Sequence, residues 1–213
     1  MRAVLISIQP KWCAKIERGE KTVEVRKTRP KIKTPFKVYI YETQGRKYSF
    51  GVKADTIAKH DDDRFLDCAR GNPPIKYDKK GTPYFSYGRM KVIGEFVCDY
   101  IDEYTNYSLD EQPGHVKRRE NLLRSACMTL RDWRDYIGSY RSDKGYAWHI
   151  SNLIIYDMPK EIYEFYKPCD KINSCYLCKW WEKEIMTCTQ PPITRPPQSW
   201  CYVEDLCPVA ELR

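Results

Sequence analysis

The chain opens on AVLISIQ (residues 3–9), an unbroken apolar run rich in β-branched residues, with Pro10 directly behind it. Such a run reads as a buried strand. A proline that fits only the first turn of a helix then forces a change of structure. In PKWCAKIERG, Trp12 and Ile16 lie four apart beside Cys13, while Lys11, Lys15 and Arg18 fall on the other side, so a short helix follows with Trp12 in its core face. Gly19 closes that helix, because glycine takes the left-handed conformation at little cost. The next segment, KTVEVRK, alternates: Val23 and Val25 share one face, and Thr22, Glu24 and Arg26 share the other. Strand, helix and strand are thus set out in order by punctuation alone, and the third piece is crowded with charge.

The same reasoning places further elements. PFKVYIYET (35–43) is a strand with Phe36, Val38 and Ile40 inward and Lys37, Tyr39 and Tyr41 outward. GRMKVIGEFVCDYIDEY (88–104) is a long strand bent or bulged at Gly94, and AWHISNLIIYDMP (147–159) is another, stopped by Pro159. Residues 116–125 and 129–137 are helices, the second capped by Thr129 and ended by Gly138. KEIYEFYK (160–167) is helix-like and ends at Pro168. Residues 57–87 have no clean period and form a long loop insertion. Residues 1–167 then make one domain and 168–213 a cysteine-rich tail.

Charge is unevenly placed. Residues 1–47 hold 13 Lys/Arg against 4 Asp/Glu, although the whole chain carries only +8. A local positive field attracts phosphates. Lys117, Arg118, Arg119, Arg124, Arg131 and Arg134 form a second basic cluster, which reads equally as a solvated helix face. No apolar run is long enough to span a membrane, and the first is too short for a signal peptide. The expected location is the cytoplasm, where thiols stay reduced.

The charged strand admits three readings. Lys21 at the corner, with Thr22, Glu24 and Arg26, forms a ligand-binding face: Arg26 offers a planar fork, Lys21 a point charge, and Glu24 an acceptor for an exocyclic amine. Alternatively, Lys21 and Glu24 are catalytic, with Lys21 as general base if burial lowers its pKa. Or the charges form an exposed ion-pair ladder with no ligand. Tyr39 and Tyr41 share a face with Lys37, a combination that suits single-stranded nucleic acid. Trp148 and His149 are adjacent in one strand and face opposite ways, so one lines the cleft while the other packs.

The tail has the pattern C-x5-C-x2-C-x9-C-x12-C-x5-C over Cys169, Cys175, Cys178, Cys188, Cys201 and Cys207. Cys175 and Cys178 have the spacing of a metal knuckle, and Cys188 and Cys201 complete a four-thiolate site for a structural Zn2+, with Cys169 or Cys207 as substitutes. A tail this short and proline-cut gains folding energy from such an ion. An iron–sulfur cluster and free thiols are the alternatives.

GEKTVEVR fills the pattern G-x-K-T-x-E-x-R with Gly19, Lys21, Thr22, Glu24 and Arg26. On these residues the chain resembles the ASCH domain family of the PUA-like superfamily. KGYAWHISNLIIYDMPKEIYEF resembles the final strand of bacteriophage and prophage members, as does the tail with RPPQSWCYVE. The resemblance implies an α+β fold, a small mixed β-barrel with flanking helices and a cleft beside the hallmark strand. It also implies an RNA- or nucleotide-binding module. Some members resembling this chain are amidohydrolases on acylated cytidine, or ribonucleases. In the amidohydrolase type a lysine matching Lys21 is catalytic, a threonine stands where this chain has Glu24, and a later glutamate completes the site, for which Glu95 is the candidate. A third possibility is a phage-borne protein whose tail and loop grip a host protein.

Overall fold

The computed structural model describes residues 2–45, 48–49, 76–110, 114–169, 179–184 and 187–205. Its strands in chain order are β1 (Arg2–Ile8), β2 (Val23–Arg26), β3 (Phe36–Glu42), β4 (Tyr48–Ser49), β5 (Lys76–Tyr77), β6 (Pro83–Phe85), β7 (Val92–Thr105), β8 (Lys144–Lys160), β9 (Trp181–Glu182), β10 (Thr187–Cys188) and β11 (Trp200–Glu204). Three α-helices accompany them among the described residues: α1 (Pro10–Glu17), α2 (His115–Ser125) and α3 (Leu130–Ile137). None is long and apolar enough to cross a membrane.

Six strands form one mixed sheet in the order β11-β1-β3-β7-β8-β2. Only β1 and β3 run parallel; every other pairing is antiparallel. The sheet does not close as the expected barrel would: β11 and β2 stand at its two ends and do not pair with each other. Side chains bridge the seam instead: the Trp200 indole donates to the Thr28 hydroxyl at 3.0 Å, and the Lys31 amide donates to the Tyr202 hydroxyl at 2.7 Å. Between the edges runs the 27–35 loop, whose Pro30 and Pro35 have no amide to give a ladder.

Among the described residues, three apolar clusters hold this sheet. Val4, Ile6, Phe36, Val38, Ile40, Phe96 and Trp148 pack inside the curl, against Cys13 and Ile16 of α1. Val23, Val25 and Ala147 pack beneath α2 and α3, against Leu122, Trp133 and Ile137. The remaining face of β1 and β3 carries Ala3, Leu5, Tyr39 and Tyr41, covered by Phe165 and Ile193.

This last cluster corrects two expectations. Tyr39 and Tyr41 do not face solvent with Lys37; they are 0% and 6% exposed, because the chain beyond Pro159 folds back over them. KEIYEFYK is no helix. It makes one 3-10 turn at Ile162–Glu164 and then extends, and Phe165 is spent on the core. Within the segment expected as a tail from residue 168, β11 pairs with β1 from Arg2↔Glu204 to Ile6↔Trp200. The loop expected over 57–87 contains a hairpin, β5–β6, that pairs with β4. Asp78 Oδ1 accepts from the amides of Lys80 and Thr82 and so shapes its turn. Residues 50–75 lie outside the described residues.

The bulge at Gly94 is as expected: the β7–β8 register shifts between Val92 and Gly94. A Cβ there would sit 2.3 Å from the Ile154 carbonyl. Gly94→Ala is therefore expected to cost about 1–3 kcal/mol in denaturant unfolding, since the clash is with backbone that cannot step aside. An unchanged midpoint would show that the two strands have slack.

Candidate functional site

The site is assembled from the first strand–helix–strand unit and from α3. Gly19 adopts φ 72°, and the amides of Glu20 and Lys21 then both close on the Lys15 carbonyl at 2.9 and 3.1 Å. That turn ends α1 and sends Lys21 inward. The Thr22 backbone is held on both sides, donating to Ser125 O and accepting from Ile150 N, each at 2.9 Å. With Val23 and Val25 committed to the core under α2 and α3, alternation leaves Glu24 and Arg26 on the opposite face.

Lys21, Glu24 and Arg26 form a buried triad. Lys21 Nζ lies 3.3 Å from Glu24 Oε2, and Arg26 Nη2 lies 3.0 Å from Glu24 Oε1. Their side chains are only 2%, 7% and 8% exposed. The two cations are tied to distant backbone as well: Lys21 Nζ donates to Ala126 O at 2.8 Å, and Arg26 Nη2 donates to Ser7 O at 2.5 Å. Lys21 Nζ also sits 5.0 Å from the centre of the Trp12 ring. Burial pushes the Lys21 amine below the ordinary lysine value, and the Glu24 carboxylate partly opposes that shift. Arg26 Nε is buried and has no hydrogen-bond partner.

The triad lines a cavity of about 350 Å3. The end of β1 supplies Ser7 and Ile8, the next residue is Gln9, and α1 supplies Lys11 and Trp12. Opposite them stand Met128 and three residues of α3: Asp132, Asp135 and Tyr136. Asp132 is fixed by a capping box, accepting from the Thr129 amide at 2.8 Å while its own amide donates to Thr129 Oγ1 at 3.1 Å. The Thr129 hydrogen bonds hold its carboxyl below the usual range. Three cations and three carboxylates therefore surround two aromatic rings. Such a wall offers donors, acceptors and stacking faces together, with no net charge.

Not every expected site residue reaches this cavity. Thr22 is exposed and contributes backbone only. Tyr39 and Tyr41 belong to the opposite layer, where the Tyr39 hydroxyl donates to Asp205 at 2.7 Å. Trp148 is fully buried in the inner core, edge-on to Phe36 at 5.9 Å. His149 stacks on Tyr100 at 3.7 Å, away from the triad, with Nε2 3.2 Å from Asp102. Glu95 does not complete the site: it accepts from the Tyr156 hydroxyl at 2.5 Å and pairs with Lys37 on the face of Tyr39. In the second basic cluster, Arg118 covers Tyr104 at 4.5 Å, and Arg131 pairs with Asp135 at 3.7 Å.

Sequence reasoning missed Trp12, Tyr136, Asp132 and Ser7 as cavity residues. Asp132, Asp135 and Tyr136 do share one helix face by their spacing, but nothing local says what that face meets. Of the tail thiols, Cys175, Cys178 and Cys207 lie outside the described residues. Cys188 falls in β10, opposite Trp181 of β9. Cys201 lies in β11, and burial pushes its thiol up. Among the described residues, no group of three or more His, Cys, Asp or Glu is placed to hold a metal.

No protein-family model matches the chain, and no curated protein matches it. Among solved structures, it is similar to the crystal structure of ASCH from Zymomonas mobilis, with TM-score 0.48 and 18% identity over 95% of this chain and 88% of that one. A tyrosine-to-phenylalanine mutant and a serine-to-alanine mutant of the same Zymomonas protein match equally, with 91% and 89% of their chains covered.

Proposed function

We propose that this chain is an RNA- or nucleotide-binding module, of the bacteriophage and prophage type that its closing strand resembles, and that a nucleobase enters the cavity beside Lys21, Glu24 and Arg26. One observation carries this reading: three ionic groups are buried at the wall of an open cavity. Buried ion pairs seldom add net stability over well-packed apolar residues, so stability alone does not explain the triad. The triad also leaves donor capacity unused. Arg26 Nε has no partner, and Lys21 uses two of its three protons. Trp12 and Tyr136 supply stacking faces, and a volume of about 350 Å3 lies at the lower end of the range for small-molecule pockets.

The test is titration calorimetry against nucleosides, nucleoside monophosphates and short RNAs. At least one should bind, and Arg26→Met should weaken it by ~30-fold or more, as expected for loss of one partner of a buried charged contact. If no member of the panel binds, the reading fails.

The lowered pKa of Lys21 favours a second reading, hydrolysis of a modified nucleoside or of RNA with Lys21 as base and Glu24 as its relay. It requires turnover of an acylated cytidine or an RNA oligomer that Lys21→Met eliminates. We also propose that Cys175, Cys178, Cys188 and Cys201 hold a structural Zn2+. Metal analysis should find one zinc per chain, lost in Cys175→Ser/Cys178→Ser.

A further inference from the structure

The segment that leaves the cavity is the most cationic part of the chain. Lys27, Arg29, Lys31 and Lys33 follow β2 directly, and all four are exposed. None of them makes an ion pair among the described residues, whereas some exposed cations elsewhere do: Arg18 with Glu20, and Lys144 with Glu103. Glu103, whose titration feels Arg29, is already bonded to Lys144 at 2.6 Å. Four cations left unpaired in seven residues repel one another, a cost that an anionic ligand would remove.

The segment is also held in place. Thr28 accepts from Trp200 at 3.0 Å, and the Lys31 amide donates to Tyr202 at 2.7 Å. Arg29, Lys31 and Lys33 line a groove of about 630 Å3 whose other wall is Tyr100 and Ile101. Tyr100 is 50% exposed and lies nearly parallel to His149, 3.7 Å between ring centres and 21° between planes. His149 is in turn held by Asp102 at 3.2 Å. The result is an ordered aromatic platform beside a row of cations. At the inner end, Lys27 Nζ lies 5.4 Å from the Tyr136 ring, which lines the cavity.

We infer that this groove is a second subsite, which holds the phosphates and one stacked base of a single-stranded polynucleotide whose neighbouring nucleotide occupies the cavity; it rests on the binding function proposed above. The strand passes from the triad over Lys27, lays its backbone along Arg29, Lys31 and Lys33, and sets a base on Tyr100. From Arg26 to Lys33 the protein chain extends at most ~25 Å, so the track accommodates a few nucleotides rather than a long duplex. Single strands are favoured because only an unpaired base presents its face to Tyr100.

The test uses the full chain and a fluorescent, unstructured oligomer of about eight nucleotides, read by anisotropy over a range of salt. RNA and DNA of one sequence are run together, and binding of either with the pattern below supports the subsite. Removing three charges in Arg29→Gln/Lys31→Gln/Lys33→Gln should flatten the slope of log affinity against log salt by about 2, at ~0.7 per phosphate contact. Tyr100→Ala should weaken the oligomer roughly five- to hundredfold, while Tyr100→Phe stays within about twofold. Mononucleotide binding in the cavity should be untouched in all three variants, which also reports that they are folded. An unchanged oligomer slope in the triple variant overturns the inference, as does equal affinity for duplex or for poly-glutamate, which would assign the groove to acidic proteins. If the mononucleotide binds and the oligomer gains nothing over it, the subsite falls and the cavity stands. If the mononucleotide fails as well, both fall.

Discussion

Glu24→Ala should lower unfolding free energy by about 3–5 kcal/mol, the range for breaking a buried charge network at one member. Glu24 is the only carboxylate paired with Lys21 and Arg26 among the described residues, at 3.3 and 3.0 Å, and both cations are more than nine-tenths buried. Removing it leaves two nearly buried charges without their counter-ion. Urea unfolding measures the loss; a cost below about 1 kcal/mol would mean that the pair is solvated after all. The companion variant Lys21→Met/Glu24→Leu/Arg26→Met should recover most of that stability, because replacing a whole buried network by apolar groups is often neutral or better. It should still bind no nucleotide. Stability and binding would then part company, as expected if the triad is kept for its ligand.

Trp133→Ala is expected to be as damaging, about 3–5 kcal/mol, as for other large-to-small changes in a core. Trp133 is 0% exposed and lies edge-on to Tyr104 at 6.3 Å. Its packing reaches the backbone of β8: a Cβ on Gly145 would be 2.4 Å from the ring. The indole donates to Asn106 Oδ1 at 2.9 Å, and the Asn106 amide in turn donates to the carbonyls of Gly138 and Tyr140 at 2.9 and 2.6 Å. One residue thus anchors α3 and the turn behind it. Because Asp132, Asp135 and Tyr136 hang from the same helix, whatever the cavity binds should be lost along with stability. Trp133→Phe separates the two effects: it keeps most of the packing and leaves Asn106 Oδ1 without its donor, for about 1–3 kcal/mol. A stable, ligand-competent Trp133→Ala protein would show that α3 is held elsewhere.

Much of the architecture was legible because its signals are local. Pro10 and Gly19 bracket α1, Thr129 and Gly138 bracket α3, and the Gly94 bulge follows from a residue without a side chain. The segments that misled have one cause in common. KEIYEFYK and the Tyr39/Tyr41 face carry apolar residues at spacings that suit an isolated helix and a half-exposed strand. In the folded chain each is used to cover the other. Tertiary burial overrode both local preferences, as it does wherever one segment's exposed face becomes another's partner.

Spacing along the chain was enough to set the order of strand, helix and strand, and to put Glu24 and Arg26 on the face opposite Val23 and Val25, because side-chain direction repeats every two residues whatever the strand packs against. Whether that face met water or protein depended on contacts far away in sequence: Lys21 on the carbonyl of Ala126, Arg26 on the carbonyl of Ser7, and α3 standing across the gap. Periodicity is a property of neighbours, whereas burial of a charge requires a distant group to satisfy it. The cavity exists only where the folded chain brings those groups together.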